Sequence, residues 1–168
     1  MTQKNILTRL FTETTSNLLN ICLLLIRCNI GVILFVIGSG KVLGWFGGKG
    51  MEITVNVFVT KQGFTPLLAY MSSYTEFLGG LLLMIGLFTR PAAFVVMINM
   101  SVAAIVMLPK GFFMGGAAYP FTLFVFSIII LLAGPMKFSL DSLLFPTDIF
   151  IRELNDMNRP TLPGIHQN

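Results

Sequence analysis

The chain has little of what a solvated surface needs: 11% of its 168 residues are charged, against about 25% in an ordinary soluble domain. Histidine occurs once, as His166 in a polar tail. That excludes a bis-histidine haem or a histidine metal cluster inside the apolar segments. The two cysteines, Cys22 and Cys28, are too few for a disulfide scaffold. Six apart on a helix they face different ways, so they are not the C-x-x-C pair of a thiol oxidoreductase. No glycine-rich phosphate loop follows a strand. Met97, Met100 and Met107 make no copper stripe, and no pair of broken helices suggests an inverted-repeat transporter. The net charge is +4, but the basic residues are scattered, which argues against a nucleic acid partner. No catalytic residue, metal site or evident cofactor is nominated by what remains.

What is present is apolar. Hydrophobic residues make up 55% of the chain, and the mean hydropathy is +0.84. Of the eighteen charged side chains, ten fall in residues 1–17 and 136–168. A helix crosses a hydrocarbon core of about 30 Å with roughly 20 apolar residues, and lipid leaves backbone groups no other partners. These limits predict an all-α membrane protein, a bundle of four transmembrane helices at 18–40, 67–88, 91–108 and 119–133. Residues 1–17 are expected to form an interfacial helix, with Ile6, Leu7, Leu10 and Phe11 on one face. Residues 136–168 are expected to form a second amphipathic helix and a polar tail. Pro91 and Pro120 suit helix starts, and Gly134-Pro135 a helix end. Within the connection 41–66, the β-branched run from Ile53 to Val59 suits an interfacial helix at least as well as a short strand. The first apolar stretch is too long for a cleavable signal peptide and holds Arg27. Lys4, Arg9, Arg90, Lys137, Arg152 and Arg159 on one side, against Lys41, Lys49, Lys61 and Lys110 on the other, favour both termini in the cytoplasm.

A charge within a span is expensive and marks a partner or a cavity. Counted from the expected helix ends, Arg27, Glu76, Asn99 and Ser127 lie at similar depth, one on each helix. Asn20, Arg27, Leu34 and Lys41 recur every seven residues on helix one, with Gly31 and Gly38 between them. Ser72, Glu76, Gly79 and Gly80 form the matching face of helix two. Arg27 and Glu76 are therefore the expected buried pair, with Asn99 completing their hydrogen bonds. Lys41 and the adjoining Trp45 are the outer candidates for a ligand, and Asn20, Ser72, Arg90 and Ser127 complete the polar belt. Two readings stay open: a polar ligand site, or a pair that only fixes helix register.

The order of motifs resembles the DoxX family of small four-helix membrane proteins. It runs from Arg27, Gly31 and Phe35 through G-S-G-K-V-L-G-W-F-G-G at 38–48, E-F-L-G-G-L-L-L-M-I-G-L-F-T-R at 76–90 and L-P-K-G-F-F at 108–113. Y-P at 119–120 and G-P-x-x-x-S-L-D at 134–141 complete it. The resemblance implies a bacterial or archaeal cytoplasmic-membrane protein associated with redox systems, some of them quinone-linked. It also implies family charged positions at Arg27, Lys41, Glu76 and Arg90. The chain departs from that pattern at Ile37 and Met107, where relatives often carry histidine, and at Ala118, where they often carry an acidic residue.

The leading expectation is an accessory subunit of a membrane redox assembly, with quinone as the ligand the resemblance suggests. Its expected partners are the bilayer, a redox-enzyme subunit and a second copy of the chain. A purely structural anchor and a small-molecule permease are the competing readings.

Overall fold

The computed structural model describes residues 3–134 and 139–144, and side-chain surroundings from residue 17 on apart from 142 and 143. Among these residues all regular structure is helical: α1 (Gln3–Val42), α2 (Gly50–Gln62), α3 (Pro66–Ile85), α4 (Thr89–Met107), α5 (Ala118–Ala133) and α6 (Leu140–Leu144), with one 3-10 turn at Leu108–Lys110. Three stretches are long and apolar enough to cross a membrane: Asn17–Val42, Pro66–Ile85 and Thr89–Lys110. α5 has 16 residues, about 24 Å at 1.5 Å per residue, and is the short member of the set. The connection 41–66 resolves in favour of the helix, since α2 occupies the β-branched run. α1 passes through residues 17 and 18 without a break. The apolar face expected on residues 4–17, and all of 136–168 except 139–144, lie outside the described side chains and residues.

α1 and α3 form the tightest pair. A side chain at Gly38 would meet the backbone of Phe77, one at Gly31 the backbone of Met84, and one at Gly80 the backbone of Leu34 and Phe35. The missing Cβ atoms let the two backbones touch, as small residues do between helices in lipid. Phe35 stacks on Phe77 beside this seam, with ring centroids 5.4 Å apart. α4 and α5 make the second close pair. Ile30, Leu34, Leu83, Ala93, Val96, Leu123 and Ile130 from the four long helices close the buried core.

The α3–α4 turn is short. Gly86 ends α3 with a left-handed backbone, and α4 begins at Thr89, two residues before Pro91. Pro91 still falls in the first turn, where its absent N–H breaks no helical bond. Phe88 is held at φ 49, and Asp141 from α6 explains how. Its carboxylate oxygens accept the backbone N–H groups of Phe88 and Thr89, both at 2.7 Å. A carboxylate there also sits at the positive end of α4.

A candidate ligand site at Lys41 and Glu76

The expected Arg27–Glu76 pair does not form; Glu76 pairs with Lys41, whose Nζ lies 2.5 Å from the Glu76 Oε2. The reason is register. Gly38, not Arg27, lies level with Glu76 and Phe77, and the eleven residues from 27 to 38 span about 16 Å of helix. Arg27 and Glu76 would share a depth only if the first two spans began and ended together, whereas α1 and α3 are staggered. Arg27 is buried at the far end of α3, its guanidinium lying against Gly86 so closely that a side chain there would collide.

Lys41 stands next to the end of α1. Helical side chains lean towards the N-terminus of their own helix, so its chain runs back down to Glu76 instead of out to water. Its ammonium also lies 5.7 Å from the centre of the Phe58 ring on α2, within the range of a cation–π contact. Asn99 on α4 donates from Nδ2 to the Ser72 carbonyl at 3.4 Å and lines the same cavity as Glu76. Charge, counter-charge and amide thus come from α1, α3 and α4.

These groups line a cavity of about 330 Å³. Its walls are otherwise mostly apolar, from Leu34, Ile37, Phe58, Phe64, Met100 and Val102, with Tyr119 and Pro120 from the start of α5. A concave apolar site with a few converging polar groups is the usual form of a small-molecule site. Lys41 and Tyr119 can donate hydrogen bonds to a carbonyl oxygen in this space, and Glu76 can accept one from a hydroxyl. Ile37 and Met107, two of the departures from the DoxX pattern, line this same cavity, so hydrocarbon and thioether stand where the resemblance implies histidine.

The remaining belt residues are dispersed. Ser72 lines the cavity. Ser127 is buried but bonds the Leu123 carbonyl of its own helix at 2.7 Å, and Arg90 lies at the Arg27 end, against Gly134. Asn20 is partly exposed on α1, three turns before the glycine seam begins. Trp45 is half exposed and lines a neighbouring vestibule that shares Ile37, Lys41 and Phe58 with the cavity. Arg27 lines none of the cavities described. Sequence reasoning missed Phe58, Tyr119 and Asp141. The Y-P and S-L-D motifs held the signal for the last two, and nothing marked Phe58 among its neighbours.

Described residues that are helical in all their regular structure, with three spanning-length apolar helices and a buried carboxylate paired with a lysine among them, define a class, the small polytopic membrane proteins. Within that class, the DoxX family model matches residues 22–109, more than half of the chain. A Bacillus subtilis (strain 168) protein named "Putative oxidoreductase CatD" is 33% identical over 122 residues, 73% of this chain and 86% of that one. No solved structure matches. The chain belongs to the DoxX family.

Proposed function

We infer that the protein is a non-catalytic subunit of a quinone-linked redox assembly, and that the Lys41–Glu76–Asn99 cavity binds the quinone headgroup. The observation that carries this reading is the ion pair itself, placed on the wall of an apolar cavity instead of packed away from one. A pair serving folding alone has no need of an adjoining space of ligand size. The oxidoreductase name of the Bacillus relative supports the redox association. α5 is taken as a fourth crossing, which puts both termini on the cytoplasmic face of a bacterial inner membrane. Arg27, lying with Arg90 at the α3–α4 turn, adds a cation to that face. The anchor reading draws its support from the α1–α3 seam, which would hold without any ligand. A permease has less support, because the cavity lies at the Lys41 end and Arg27 at the other end lines no described cavity.

The test is purification from native membranes followed by solvent extraction. The wild type should carry quinone and bring down a dehydrogenase or oxidase subunit. The Lys41→Met/Glu76→Gln variant should keep the partner and lose the quinone. Equal quinone in both would assign it to surrounding lipid and end the ligand reading. A preparation with no redox partner would end the subunit reading.

A further inference from the structure

Two cavities meet beneath α2. The one at Lys41 and Glu76 and a second of about 320 Å³ between α3 and α4 share Phe58, Phe64, Ser72, Asn99 and Val102 in their walls. The rest of the second lining is Leu68, Met71, Thr75, Val95 and Ile98. None of these is charged, and Leu68, Met71, Val95 and Ile98 are about half exposed on the outer faces of two spanning helices. α3 and α4 are tied at the Gly86–Phe88 turn but pack less closely than α1 with α3 or α4 with α5. The groove therefore opens towards lipid along its length and leads inward past Asn99 to the ion pair.

We propose that the ligand is a single-tailed amphiphile taken up sideways from the bilayer, its headgroup against Lys41 and Glu76 and its hydrocarbon tail in the α3–α4 groove. This rests on the ligand reading above and adds the access route and the tail site. Moving a tail from lipid to an apolar groove gains little hydrophobic free energy, since lipid is equally apolar. The groove instead aligns the molecule, so that the head arrives at the charged pair already oriented. Phe58 and Phe64, common to both cavities, form the throat between head and tail, and the Phe58 ring centre lies 5.7 Å from Nζ of Lys41, the cation that meets the head.

The probes are decyl-benzoquinone and its tail-less methyl analogue, titrated against protein in phospholipid nanodiscs and read by quenching of Trp45, the chain's single tryptophan. Thr75→Phe/Val95→Phe fills the groove from two lipid-facing positions and leaves the throat and the ion pair untouched. It should weaken saturable quenching by the decyl probe at least ten-fold and leave that by the methyl probe unchanged. Comparing one probe across two proteins cancels its partitioning into lipid. Unchanged decyl binding in the variant overturns the tail site while leaving the headgroup site standing. Failure of both probes to saturate the wild type overturns the headgroup site and this inference with it. A photoreactive diazirine at the end of the decyl tail, used on the wild type, covers the case of a variant that misfolds. Label competed by unmodified probe should fall within 68–75 and 95–102, and competed label on α1 or α5 instead contradicts the proposal.

Discussion

Lys41 reaches Glu76 because its side chain leans back along α1, which brings an ammonium that would otherwise be hydrated into contact with a carboxylate that is 5% exposed. Removing Lys41 leaves that carboxylate buried without its counter-charge. Lys41→Met is therefore expected to cost about 2–4 kcal/mol of stability in detergent, and Lys41→Met/Glu76→Gln to cost less than the two single changes together. A double-mutant cycle on thermal unfolding measures this; strict additivity would mean the pair is not coupled. Asp141 is the second residue-scale test. It accepts two backbone N–H groups at the start of α4, so Asp141→Ala should cost about 1–2 kcal/mol and speed amide exchange at Phe88 and Thr89. Exchange unchanged there would show that the cap contributes nothing. That Glu76 lies buried within a span followed from its sequence position alone, because a lone acid in an apolar run has few alternatives. Its partner did not follow. Arg27 and Lys41 share one stripe, and choosing between them needs the axial offset of α1 on α3, a tertiary quantity.

Among the elements, that offset is set by glycine. Gly31, Gly38 and Gly80 allow backbone contact at one register only, so Gly38→Ala should push α1 from α3 and cost about 1–3 kcal/mol, with the Lys41–Glu76 contact weakened too. Gly79→Ala is the comparison, since a methyl there meets a Val96 side-chain carbon and no backbone atom. Equal losses at both positions, by thermal unfolding, would contradict a backbone seam. The positions of α3, α4 and α5 were legible to within a few residues, because apolar length, Pro91, Pro120 and Gly134 bound them locally. α2 was not, since β-branched residues from Ile53 to Val59 suit strand and helix alike. α2 is settled by packing on α3 and α1, which no local pattern encodes.

At the scale of the molecule, the chain sorts its polar chemistry to two ends: Lys41, Glu76 and Tyr119 around one cavity, and Arg27, Arg90 and Asp141 about the α3–α4 turn. On the proposed topology, with both termini inside, the loops carrying Lys49 and Met114 face outward. In a Cys22→Ser/Cys28→Ser background, Lys49→Cys and Met114→Cys should react with an impermeant maleimide on intact cells. Labelling only after permeabilisation would invert the topology. The central claim, that the buried pair serves a ligand, is met most directly by Trp45 quenching with decyl-benzoquinone in nanodiscs. The wild type should quench saturably at one site per chain, and Lys41→Met/Glu76→Gln should retain only the linear, unsaturable quenching of quinone dissolved in lipid. Saturable quenching of equal affinity in the two proteins would contradict it.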